Sequence, residues 1–120
     1  MGNKIGILCY TTEEDTTLDR VGAILNDGYK ELITIDVDSS TNLSAIKAYI
    51  NNITKKELEI TYIDDLSIRD QVTYVYAIDI TGTKFSTDNF MLYSLSDIDE
   101  ITDAIFQASV MKLIQKNIFR

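Results

Sequence analysis

Residues 72–81 read VTYVYAIDIT, and this stretch decides the fold class. Val72, Tyr74, Tyr76, Ile78 and Ile80 recur every second residue, the period of a β-strand whose successive side chains point to opposite faces. Residues 32–38, LITIDVD, alternate in the same way, with Ile33, Ile35 and Val37 on one face and Thr34, Asp36 and Asp38 on the other. Strands buried on both faces of an all-parallel sheet read as unbroken apolar runs instead. Only residues 4–10, KIGILCY, have that character. Together these segments predict a mixed sheet with one face partly open, an α+β or α/β domain.

Outward from this core, residues 57–64 alternate again, with Leu58, Ile60 and Tyr62 facing inward, and residues 65–70 form a polar link. Residues 90–95 supply a further strand, for about five to six in all. Three helices are expected. Leu18, Val21, Ile24 and Leu25 have helical spacing and stop at Asn26-Asp27-Gly28, where glycine can take the left-handed conformation that closes a helix. Leu43, Ile46, Ile50 and Ile53 define a second helix behind the polar run 39–42. The third is long, from Ile98 to Phe119, capped by Ser96 or Asp97. No linker, repeat or low-complexity tract interrupts the 120 residues, so the expectation is one globular domain over 1–120.

Composition narrows function mainly by what is absent. The chain has no His, no Pro, no Trp and one Cys. A histidine general base, a Ser-His-Asp or Cys-His pair, a Cys/His zinc site and a disulfide framework all lack their residues. Gly2, Gly6, Gly22, Gly28 and Gly82 form neither a phosphate-binding loop nor a dinucleotide fingerprint. The net charge of -8 repels nucleic-acid phosphates, and no basic block interrupts it beyond Lys55-Lys56. No apolar run approaches the ~20 residues of a membrane span, and residues 1–4 lead straight into a strand without signal-peptide architecture, which implies no membrane and a cytoplasmic location. Cys9, in an apolar run, reads as a buried structural thiol.

Three groups of residues remain as candidate sites. Asp36, Asp38 and Asp64 end strands, and if those strands were parallel neighbours their carboxylates would share one sheet edge and suit Mg²⁺. Otherwise no cofactor is expected. Arg20, Arg69 and Arg120 are the only forked cations, and with Tyr74, Tyr76, Phe85 or Phe90 to stack on a base they would form an anionic-ligand site. On the closing helix, Phe106, Val110, Leu113, Ile114 and Ile118 widen the apolar surface beyond what one sheet face covers, predicting self-association through that helix.

The reading that follows is a non-catalytic, acidic, oligomeric module that binds and inhibits or regulates a partner protein with a basic surface. The Ile-, Asn- and Lys-rich usage fits a phage or mobile-element accessory protein. The alternative is an oligomer that sequesters a nucleotide-like anionic ligand. The third is a metal-dependent enzyme built on the aspartate edge.

Overall fold

The computed structural model describes residues 3–14, 17–36, 42–68, 70–85, 87–97 and 104–116. Seven strands form one mixed sheet: β1 (Lys4–Thr12), β2 (Leu18–Asn26), β3 (Tyr29–Glu31), β4 (Ile33–Asp36), β5 (Ile60–Ile68), β6 (Gln71–Asp79) and β7 (Phe90–Ser94). Helix α1 (Asn42–Asn51) precedes β5, a single 3₁₀ turn (Leu95–Asp97) follows β7, and α2 (Ala104–Lys116) ends the described chain. The expected class holds, with a mixed sheet and a C-terminal helix, and the strands are more numerous than expected.

At the centre lies β1, the apolar run of residues 4–10. It pairs parallel with β6 on one side, Ile5 opposite Tyr74 and Cys9 opposite Ile78. On the other side β4 pairs antiparallel with its first half and β2 with its second. Strand β5 forms an antiparallel hairpin with β6 and is one outer edge, while β7 pairs with β2. From Ile5 to Tyr10 β1 is buried on both faces between two neighbouring strands, which is why that run shows no alternation.

Each face of the sheet carries one helix. Ile5, Ile7, Cys9, Ile33, Ile78 and Ile80 pack beneath Ile46 and Ile50 of α1, together with Phe85. Leu8, Tyr10, Val21, Ala23, Ile63, Val75 and Ala77 pack beneath Phe106, Val110 and Leu113 of α2. This corrects the expectation of a partly open face. It also accounts within the chain for most of the expected oligomer surface: Phe106 and Leu113 are fully buried and Val110 nearly so, because β1, β2, β5 and β6 pack against that side of the helix. Ile114 is 40% exposed, and Ile118 lies outside the described residues.

The expected first helix is a strand. Val21 and Ala23 face α2, while Gly22 and Ile24 turn to the other face, where Phe90 lies over Gly22. Asp27 (φ 51°) and Gly28 (φ 85°) form a two-residue connection to β3. Positive φ at both central residues is what a hairpin turn matched to strand twist requires, and Asp-Gly supplies it. The glycine read as a helix stop thus serves a hairpin. Strand β5 also runs further than expected, through Asp64 and Asp65 to Ile68, with a bulge between Tyr62 and Asp64. Charges and a bulge are tolerable there because β5 is an edge, where they hinder pairing with another sheet.

Candidate functional site

Between α1 and the segment leading into β5 lies a groove of about 500 Å³. Its helical wall follows from spacing: Leu43, Lys47, Ile50 and Asn51 stand three and four residues apart and so share one side of α1. The facing wall is Lys56, Glu57, Leu58, Glu59 and Ile60. Alternation along that wall turns Leu58 and Ile60 toward the α1 core and leaves Glu57 and Glu59 exposed. The floor is apolar, from Ile50, Leu58 and Ile60, and the charges are two ammonium groups and two carboxylates.

Lys47 is the only charged residue of α1. Among the described residues the ion pairs are Lys4 with Asp36 at 3.8 Å and Lys112 with Asp64 at 3.5 Å, so neither Lys47 nor Lys56 is neutralised by a salt bridge there. In a protein of net charge -8 these two lysines balance Glu57 and Glu59, which leaves the groove neutral and two cations available to an anion. Glu59, just before the edge strand, also acts beyond the groove. Burial first, then the charges of Asp79 and Glu59, push the Tyr10 phenol up to about 12.

Beyond Ile60 on the same face of β5 stands Tyr62, 46% exposed. Its ring meets that of Tyr76 edge to face, with centroids 5.5 Å apart. Its hydroxyl donates to Asp65 Oδ1 at 2.8 Å. That hydrogen bond is the first cause that pushes the Tyr62 phenol up to about 12, with burial and the charges of Asp65 and Asp64 adding to it. Tyr76 in turn accepts from Asn42 Nδ2 at 3.4 Å, which ties the aromatic pair to the first residue of α1.

The residues expected from sequence are mostly elsewhere. Asp36 on β4 and Asp64 on β5 are separated by β1 and β6, a gap of about 14 Å at ordinary strand spacing, and each faces a lysine. Strands β4 and β5 run in the same direction, each antiparallel to the central β1–β6 pair, but Asp64 lies in the middle of β5 and not at its end, and two strands stand between it and Asp36, so the aspartate set does not gather. Asp38, Arg69 and Arg120 lie outside the described residues. Arg20 is exposed on β2, opposite Thr11 and Ser94, with β1 and β6 between it and β5. Phe85 and Phe90 pack edge to face at 5.5 Å within the α1-side core, where they are committed to packing. Tyr74 and Tyr76 are both on β6, and Tyr74 accepts from Asn3 Nδ2 at 3.5 Å. Of these residues, Tyr76 is the one joined to the groove wall. Lys47, Lys56, Glu57, Glu59 and Tyr62 escaped the sequence reading. The signal was present in residues 55–60, KKELEI, where the chain's one basic doublet meets alternating glutamates.

Among the described residues no three His, Cys, Asp or Glu side chains gather into a group able to hold a metal ion. The donor set in the groove is limited to Glu57 and Glu59. Mg²⁺ is usually bound by one or two carboxylates plus substrate phosphates and not by an all-protein cage, and this pair fits that mode. No helix among the described residues is long and apolar enough to cross a membrane.

No family model and no curated protein matches the sequence. The fold, by contrast, has clear relatives among solved structures. A mutT/nudix family protein from Listeria innocua superposes with a TM-score of 0.77 at 9% identity, covering 97% of this chain and 93% of that one. The C-terminal domain of mouse MUTYH, solved in complex with human PCNA, gives 0.76 at 5% identity, with 98% and 90% covered. The Ap4A hydrolase of C. elegans gives 0.73 at 15% identity and 98% of both chains. At these identities the likeness establishes the fold, that of the Nudix proteins.

These neighbours correct the expectation of a non-catalytic, inhibitory accessory module, because the fold is one that hydrolases use. The missing histidines and glycine motifs exclude particular mechanisms, not catalysis. A magnesium requirement is compatible with the neighbours.

Proposed function

We propose that the chain is a hydrolase that cleaves a phosphoanhydride bond in a nucleotide-like anionic substrate held in the groove between α1 and β5. The observation that carries this is the groove itself, lined by Lys47 on α1 and by Lys56, Glu57 and Glu59 on the segment leading into β5, with an apolar floor, on a fold used by hydrolases. Lys47 and Lys56 bind phosphate oxygens as point charges, each contributing charge-assisted hydrogen bonds. The apolar floor excludes water from one side of the bound chain of phosphates, which strengthens those contacts. Glu57, exposed at the groove, accepts the proton of the attacking water, a role that no histidine is present to fill. Glu59, with phosphate oxygens of the substrate, would hold a divalent cation, which supplies polarisation of a phosphoryl oxygen when bound. One of the named neighbours is an Ap4A hydrolase, and a dinucleoside polyphosphate of that kind carries the charge and the bond that this groove suits.

The test is phosphate or mononucleotide release from a panel of phosphoanhydrides, Ap4A included, by the purified protein with millimolar Mg²⁺. Turnover of at least one nucleotide-linked member is expected, lost in Glu57→Gln with the fold retained by circular dichroism. Absence of turnover across the panel overturns the reading.

A further inference from the structure

We infer that two copies of this chain pair edge to edge through β7, joining their sheets into one continuous sheet about a two-fold axis. Among the described residues four strands, β3, β4, β5 and β7, pair with a single neighbour. An edge strand presents its outer N–H and C=O groups to any other strand unless it is short, charged or bulged. Strand β3 has three residues, among them Lys30 and Glu31, and β4 has four and ends in Asp36. Strand β5 carries Asp64 and Asp65 beside its bulge. Strand β7, FMLYS, is the exception: its five residues pair with β2 without a bulge, and the uncharged run extends from Asn89 to Ser96. Within it Met91 is 57% exposed, diagonal to Leu25 of β2 at 42%.

The hydrogen-bond phase of β7 fixes how a second copy fits. Leu25 N–H donates to Asn89 O at 3.1 Å, so in this register the bonded positions are Leu25 with Asn89, Ala23 with Met91 and Val21 with Tyr93. The main-chain groups of Met91 and Tyr93 therefore turn to β2, and those of Leu92, with the Phe90 carbonyl, turn away from it. Phe90 N–H donates to Thr87 O and closes that end of the strand. Antiparallel pairing of two β7 strands centred on Leu92 bonds the N–H of each Leu92 to the C=O of the other. It sets Met91 against the partner's Tyr93 and repeats that contact by symmetry, bringing a thioether to an aromatic ring. The Tyr93 ring is already held by Lys30, whose Nζ lies 4.8 Å from its centroid. Each copy carries -8, which opposes most contacts between copies, but in this register no carboxylate lies within the seam. With the one uncharged edge used, the assembly closes at two copies, and β5 with its groove stays outermost in each. Pairing of this kind does not depend on what the groove holds.

A five-residue seam is small against the roughly 1,200–2,000 Å² of a stable interface, so the dimer is reversible, with dissociation in the micromolar range. Sedimentation velocity of the full chain from low micromolar to millimolar concentration should show monomer converting to dimer and no larger species. Raising the salt should tighten the dimer, because it screens the repulsion between two acidic copies. Met91→Glu, at an exposed position, should weaken association roughly tenfold or more, with the circular dichroism of the monomer unchanged. Met111 on α2 is as exposed as Met91, at 58%, and serves as the control. Across the seam the two copies of residue 91 are diagonal neighbours, about 7–8 Å apart. Met91→Cys should therefore be linked into a dimer by a short bis-maleimide, and Met111→Cys should not. Cys9 is fully buried, so the introduced thiol is the one that reacts. A protein that is monomeric at every concentration overturns the pairing. So does a dimer that Met91→Glu leaves unchanged, or one that cross-links through residue 111 and not 91, which would place the interface on the closing helix.

Discussion

Replacing Gly22 by alanine separates the strand seen here from the helix that the spacing of Leu18, Val21, Ile24 and Leu25 suggests, because the two predict opposite signs. In a helix interior the exchange would stabilise the protein by about 1 kcal/mol, the propensity difference between the two residues. In β2 the added Cβ would lie 2.3 Å from Cζ and 2.6 Å from Cε1 of Phe90, and 3.3 Å from Cβ of Cys9. The Phe90 ring has to move, and it packs edge to face against the buried Phe85, so the shift propagates into the core. Overpacking of this kind costs about 1–3 kcal/mol. The reduced entropy of the unfolded chain returns about 0.5–1 kcal/mol of that. A net loss of about 1–2 kcal/mol is therefore expected, a fall in Tm of roughly 5 °C for a domain of this length. Urea unfolding followed by circular dichroism gives the sign directly. Phe90→Leu in the same chain should relieve the clash, so that the double variant loses less than the sum of the single changes. A Gly22→Ala protein that unfolds at a higher midpoint would refute the packing described for β2.

The phenols of Tyr10 and Tyr62 should titrate near 12, above the ordinary value of about 10, visible as a late phase in tyrosinate absorbance. Because both folded values are raised, the stability they contribute is intact below pH 10 and lost as the pH rises from about 10 to about 12. Asp65→Asn should bring one of the two late phenols earlier, and a single uniform phase would count against the Tyr62–Asp65 bond. Cys9 is fully buried and its thiol is pushed up by burial alone, so a disulfide reagent should label it at the rate of global unfolding. Rapid labelling under native conditions would contradict the placement of β1 at the sheet centre. Lys112→Ala, which removes the half-exposed pair with Asp64, should change stability by less than about 1 kcal/mol, and a larger loss in the same urea assay would show that the pair is a structural clamp.

What the sequence revealed follows the physics of exposure. Residues 33–36 alternate because Ile33 and Ile35 turn to the core while Thr34 and Asp36 are exposed, residues 72–81 show their period through the bulky Tyr74, Tyr76, Ile78 and Ile80 although Val75 and Ala77 opposite them are buried too, and α1 is evident because one stripe is apolar and the other polar. Strand β2 is misread because it is interior. From Val21 to Ile24 both faces are covered and no period of two shows, and Asp27-Gly28 satisfies a hairpin turn as well as it would a helix end. Asp64 and Asp65 resemble the end of a strand, yet an edge strand with a bulge tolerates them in its middle. The chain's own sheet covers Phe106, Val110 and Leu113 of the last helix, which the sequence reading assigned to a partner copy. The groove is harder to read because it is assembled from two segments, α1 and residues 56–60, whose charges are unremarkable until the sheet places them opposite each other.

The central claim is that this groove binds and cleaves nucleotide-linked phosphate. Its most direct measurement is kcat/KM for Ap4A in the wild-type protein and in the Lys47→Ala, Lys56→Ala double variant, at two ionic strengths. Charge-assisted contacts to phosphate contribute about 1.5–3 kcal/mol each, so the double change should lower kcat/KM by roughly a hundredfold or more. The wild-type value should also fall as salt rises, while the residual activity of the variant responds much less. Turnover that survives loss of both lysines with its salt dependence intact would place the reaction elsewhere on the molecule and contradict the account.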